Sequence, residues 1–291
     1  MSSTPLRSKS YHARSVSLPS RSHPIIPHFS EHLCRLSASE ATTSSLPTIS
    51  SRLSSLESLY DCVDDLLLLP QSQQSFTRAS NEKWIGEALD GCLRLLDAFA
   101  ATKDVFSNIK EDVKEQLSVL RRKRDASDFG EYLDSRKKAM KVIQKLLKDL
   151  KSIKNKDTLD VPTLDNVSET FATFSMLKEV EAVTISALES LLSHTLGVNV
   201  ESRRSGWSMV SKLIHHKRKV ASREEETNTN AFEKFDVALH SLNSHKTSET
   251  DGVKNELGML ELSIQDMEGG LECLFMRLIK SRVSLLNILN H

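Results

Sequence analysis

The chain has 291 residues, with 39 basic and 39 acidic side chains for a formal net charge of zero, 38% hydrophobic residues and 27% charged ones. That balance excludes a membrane-spanning bundle and a wholly disordered polymer, and the length suits one large domain or two modest ones. With only 9 Gly, 7 Pro and 5% aromatic residues, a turn-rich all-β fold is excluded as well, because each tight hairpin needs residues that tolerate positive φ.

Residues 1–45 read as a disordered regulatory tail. Thirteen of them are Ser, prolines recur at Pro5, Pro19, Pro24 and Pro27, and the apolar residues follow no period, so burial cannot offset the entropy of ordering them. Within this tail, Arg14-Ser15-Val16-Ser17-Leu18-Pro19 has the R-S-x-S-x-P form read by 14-3-3 proteins once Ser17 is phosphorylated. Arg14 suits a basophilic kinase, the phosphate meets a cationic cluster on the reader, and Pro19 turns the chain out of its groove. Arg7-Ser8-Lys9-Ser10 repeats the first half without the proline. An acid-poor Ser/Arg-rich segment is also how an organelle transit peptide looks; the prolines and the missing amphipathic stripe weigh against plastid import.

Residues 46–291 read as one helical domain. Leu46, Ile49, Leu53, Leu56, Tyr60, Val63 and Leu67 alternate in steps of three and four, a seam that opens at Pro47 and stops at Pro70. A Gln/Ser loop from Gln71 to Thr77 is expected next. Ser80 suits the cap of a second helix, with Ile85, Leu89, Cys92, Leu96, Phe99, Phe106, Ile109, Val113, Leu117 and Leu120 on its stripe and Arg121 to Arg124 at its end. A third helix spans about 127–154, with Phe129, Leu133, Met140, Ile143, Leu147 and Leu150 on one face and a series of lysines on the others. After a linker containing Pro162, Ser168 caps a fourth helix ending near Gly197. Ser222-x-x-Glu225 has the form of a capping box for a helix carrying Phe232, Phe235, Leu239 and Leu242. The last helix has the most regular seam: Val253, Leu257, Leu260, Ile264, Met267, Leu271, Leu274 and Leu278, continuing to Leu285 and Leu289. Gly258, Gly269 and Gly270 interrupt it, each at about 1 kcal/mol relative to Ala. The expected fold is an all-α antiparallel bundle of long helices behind a disordered N-terminal tail.

Charge is segregated along the chain. Residues 121–156 carry 13 basic and 5 acidic side chains, and residues 202–223 carry 7 basic and none acidic. Such segregation either steers an anionic partner or lets basic and acidic helices of one bundle face each other, and the second is the cheaper expectation. Arg203, Arg204, Trp207, Lys212, Lys217, Arg218 and Lys219 form a basic amphipathic segment suited to an anionic membrane surface or a calmodulin-like groove; the simpler alternative docks Trp207 into the bundle. Without interleaved aromatics or a reader motif, nucleic acid is not an expected partner.

No catalytic, cofactor-binding or metal-ligating set is expected, and the chain is read as a non-enzyme. H-E-x-x-H, G-x-S-x-G, the P-loop and G-x-G-x-x-G do not occur. The ten histidines are scattered, and the adjacent pair His215-His216 diverges by about 100° on a helix. Cys34, Cys62, Cys92 and Cys273 lie far apart, as reduced thiols of a cytosolic compartment would. The longest apolar run, Leu66 to Leu69, is far short of the roughly 18 residues of a membrane span, so a cytoplasmic protein, soluble or peripheral at membranes, is expected.

Four stretches carry a resemblance: Leu59-Tyr60-Asp61-Cys62-Val63-Asp64-Asp65-Leu66 through Pro70, Asp90-Gly91 through Asp97, Leu177-Lys178-Glu179-Val180-Glu181-Ala182-Val183-Thr184, and Leu271-Glu272-Cys273-Leu274-Phe275 on to His291. With them the chain resembles the plant-restricted domain-of-unknown-function family 241, grouped with BYPASS-like proteins. It departs slightly at Met276-Arg277, where a basic pair is the family's pattern. The resemblance implies a helical protein linked to root and shoot development, and it brings no catalytic residues.

Overall fold

The computed structural model describes residues 24–38, 46–78, 83–122, 129–156, 169–197, 232 and 250–290. Among them are seven helices and no strand: α1 (Ile25–Ala38), α2 (Leu46–Leu68), α3 (Pro70–Arg78), α4 (Lys83–Arg121), α5 (Phe129–Lys156), α6 (Glu169–Thr195) and α7 (Thr250–Asn290). None of these helices is long and apolar enough to cross a membrane.

The 41 residues of α7 make a rod of about 60 Å, packed against α2 on one side and α4 on the other. Its seam is buried from Val253 to Leu278, as the heptad spacing predicts. Beyond Leu278 the buried positions are Ser281, Leu285 and Ile288, whereas Leu289 is only partly buried. The seam continues in strict steps of three and four through a serine, which an apolar-only reading passes over. Ser281 donates to Asp64 Oδ1 at 2.9 Å, and Lys280 pairs with Asp64 at 3.0 Å, so the polar step is satisfied across the α2–α7 contact.

Side-chain partners fix the helix directions. Lys103 and Lys110 of α4 pair with Glu272 and Glu268, so α4 and α7 run antiparallel. Asp61 pairs with Arg277, and Asp64 with Lys280, so α2 and α7 run parallel. Ser135 donates to Asp112 at 2.6 Å, joining the start of α5 to the end of α4. Arg136 donates to the Thr195 carbonyl at 2.7 Å, placing the end of α6 beside the start of α5. The helices α2, α4, α5, α6 and α7 therefore alternate in direction along the chain. Gly197, at φ 74°, terminates α6 in the left-handed conformation that glycine adopts at least cost.

Two sequence expectations are corrected. Part of the segment assigned to a disordered tail is the helix α1, which buries Phe29, Leu33 and Leu36 against α2 and α6. These residues do share a helical period, so the missing amphipathic stripe is present at 25–38, its apolar side turned into the bundle. The expected Gln/Ser loop is the helix α3. Pro70 ends α2 because it lacks an N–H and then opens α3, whose first bond runs from Gln73 N to the Leu69 carbonyl at 3.0 Å.

The glycines of α7 differ in what surrounds them. A Cβ at Gly258 or Gly269 would meet nothing within 4 Å, whereas one at Gly270 would lie 3.0 Å from Leu53 Cδ1. Gly258→Ala and Gly269→Ala are each expected to raise stability by about 1 kcal/mol, read as a shift of the denaturant midpoint. Gly270→Ala is expected to gain less than either, because Leu53 must give way.

Candidate functional site

Of the residues singled out by sequence, Arg14, Ser15, Ser17 and Pro19 lie outside the described residues, as do Arg203, Arg204, Trp207, Lys212, Lys217, Arg218 and Lys219. The basic stretch on α5 is described. Lys137, Lys138, Lys141, Lys145, Lys148, Lys151 and Lys154 are all exposed. At 100° per residue, Lys137, Lys141, Lys145, Lys148 and Lys151 share an arc of about 120° along roughly 21 Å of helix. Between Lys137 and Lys154 the only acid is Asp149, at the edge of that arc. Among the described residues, the ion pair made by these lysines is the intrahelical Lys137–Asp134 contact at 3.0 Å.

Individual ion pairs cross the α4–α7 and α2–α7 contacts, but the cheaper expectation, that a basic helix faces an acidic one within the bundle, fails for α5. Neighbouring lysines along its arc are spaced within a Debye length (about 8 Å at physiological salt), so their fields overlap from one to the next. Two of the three acids of α5 lie at its start, where Glu131 and Asp134 join Asp112 and Glu115 of α4 around an open cleft of about 440 Å³.

A second polar cluster lies inside the bundle. Glu181 of α6 is buried and pairs with Arg94 of α4 at 3.2 Å and with Lys178 at 2.8 Å. Gly91 lets it come this close: a Cβ there would sit 2.7 Å from the Glu181 carboxylate. Thr184 donates to the Val180 carbonyl at 2.7 Å, which leaves its oxygen to accept from the Tyr60 hydroxyl at 3.0 Å. Burial holds the Tyr60 phenol neutral, and burial and then Glu181 push the Cys92 thiol up to about 11. The cavity between Tyr60, Cys92, Lys178 and Glu181 measures about 40 Å³, room for water and an order of magnitude below a small-molecule site.

The third cluster lies at the surface between α1 and α2. His28 and His32, one turn apart on α1, and Cys62 of α2 bring their ligand atoms within 4.8 Å of one another. Cys62 Sγ lies 3.4 Å from His28 Nδ1, and the two imidazoles meet edge to face at 4.5 Å. Arg35 donates to His32 Nδ1 at 2.8 Å. Burial, Arg35 and His28 hold the His32 imidazole below its ordinary range, and burial and Asp65 push the Cys62 thiol up. The reading of the histidines as scattered is corrected at these two positions. Their i, i+4 spacing is visible in the sequence, but it carries meaning only on a helix, and the Ser/Pro composition around it hides that helix.

The family model described as Protein BPS1 matches residues 52–288 of the chain. No curated protein and no solved structure matches it.

Proposed function

The chain belongs to the BPS1 family, and from that premise we propose that it is a non-enzymatic helical interaction protein of plant cells acting in root and shoot development. The bundle is its rigid body, α5 presents the docking face, and the R-S-x-S-x-P tail around Ser17 is a phospho-regulated arm for 14-3-3 proteins. The observation that carries the reading is the lysine arc of α5. It holds five exposed cations in about 120° that no other described helix neutralises, and such a surface attracts an acidic partner and speeds its encounter. The family match supports the developmental role.

Proximity labelling with the intact chain in root tips tests this, comparing wild type, Ser17→Ala and the triple variant Lys141→Glu/Lys145→Glu/Lys148→Glu. Ser17→Ala is expected to remove 14-3-3 proteins from the labelled set. The triple variant is expected to deplete acidic partners roughly tenfold or more with helix content unchanged. Labelled sets identical across the three proteins overturn the reading.

The alternative is a peripheral membrane protein recruited through Arg203–Arg223. The α5 arc favours it to the extent that each lysine near an anionic leaflet adds about 1 kcal/mol. Flotation of the chain with anionic vesicles, lost in Trp207→Ala/Lys217→Glu, is its expected signature.

A further inference from the structure

We propose that His28 and His32 of α1 and Cys62 of α2 form a zinc(II) site that clasps the first helix to the bundle. Two imidazoles and a thiolate are the donor types zinc prefers, and three protein ligands leave a fourth position open. In a tetrahedral site with Zn–N near 2.0–2.1 Å and Zn–S near 2.3 Å, ligand atoms stand about 3.3–3.6 Å apart. Cys62 Sγ and His28 Nδ1 already stand 3.4 Å apart, and no pair in the cluster exceeds 4.8 Å. Closing the site therefore asks for about an ångström of movement, which falls on side chains free to make it. Cys62, at 5% exposure, is held by the core, while His28 is exposed and His32 half-buried.

The local electrostatics is mixed. Asp65 and Glu31 lie near enough to Cys62 and His32 to act on them, and both favour a cation. Arg35 opposes it by its charge, and a metal on His32 Nδ1 would also displace the guanidinium that donates to that nitrogen. Arg35 is exposed, so the movement is cheap. On binding, zinc takes the place of the thiol proton, which passes to solvent. Because His28 is exposed, water can reach the metal and fill the fourth position.

The consequence is mechanical. The cluster bridges two helices that the chain joins through residues 39–45, so metal-binding free energy adds directly to the docking of α1. With zinc bound, α1 opens less often; without it, α1 is held by Phe29, Leu33 and Leu36 and its other contacts.

The test uses the full chain, stripped of metal and titrated with zinc(II), with cobalt(II) as a spectroscopic substitute. Expected are one ion per chain at this site, a thiolate-to-cobalt charge-transfer band in the near ultraviolet, and slower amide exchange across 25–38 on adding zinc. Cys62→Ala is expected to abolish the band. His28→Gln and His32→Gln are expected to weaken binding by more than the roughly ten- to hundredfold that loss of an outer-shell partner costs. Arg35→Ala is expected to tighten it. A band that survives Cys62→Ala, which would place another of the free cysteines on the metal, binding indifferent to both histidine variants, or zinc that leaves exchange in 25–38 unchanged would each overturn the assignment.

Discussion

Replacing Arg94 and Lys178 together with methionine is expected to destabilise the chain by about 3 kcal/mol, toward the lower end of what removing the partners of a buried charge costs. Glu181 is buried at 6% exposure, and both of its ion pairs are with these cations. Lys178 should carry the larger share, because Arg94 is partly solvated and its contribution is screened. The decisive comparison adds Glu181→Leu to the double variant. With the carboxylate gone, no charge is left stranded, and stability should return to the wild-type value or above it. Denaturant midpoints for the double and triple variants check this, and a triple variant no more stable than the double would show that Glu181 is not the source of the cost. Gly91→Ala probes the same contact from the backbone. Its methyl group would collide with the carboxylate, so it should destabilise although alanine is the better helix former.

Arg136→Met is expected to cost about 3 kcal/mol and lower the melting temperature by roughly 6–12 °C. Arg136 is buried in α5, donates to the Thr195 carbonyl at the end of α6, and lies 5.1 Å from the centre of the Phe232 ring. A hydrogen bond from a charged group contributes about 1.5–3 kcal/mol, and a desolvated cation over an aromatic face about 2. Its charge also sits where the α6 dipole is negative. Arg136→Lys should recover little, since an ammonium lacks the planar fork that serves the carbonyl and the ring together. Thermal melts of the three proteins decide it: a lysine variant as stable as wild type would mean that charge alone matters there.

The bundle was legible because leucine spacing reports a helix face directly. The seams of α2 from Ile49 to Leu67, of α4 from Phe99 to Leu120 and of α7 from Val253 to Leu285 are buried where the spacing puts them, whereas Leu89, Cys92 and Leu96 of α4 are only partly buried beside the buried Leu95; Gly197 ends α6 where glycine punctuation predicts. What escaped was of two kinds. The helix α1 carries three core residues among prolines and serines, too few for its period to stand out from composition. The functional clusters escaped for a different reason. Glu181, Arg136 and Asp64 look like ordinary charges of helices with many, and only the packing of α4, α6 and α7 around them shows that they are buried. Cys62 likewise gains its histidine neighbours only when α1 folds back along α2. The α5 lysines were visible as a basic run; what the sequence could not decide was whether an acidic helix faces them.

The placement of α7 between α2 and α4 also dictates a schedule. About 170 residues separate the end of α4 from the end of α7, which takes roughly ten to thirty seconds of ribosomal synthesis at 5–20 residues per second. Throughout that interval the nascent α2 and α4 hold out leucine stripes whose eventual mate has not yet been made. Closure of that seam waits on α7, and until it emerges those stripes are open to contact with other copies of the chain.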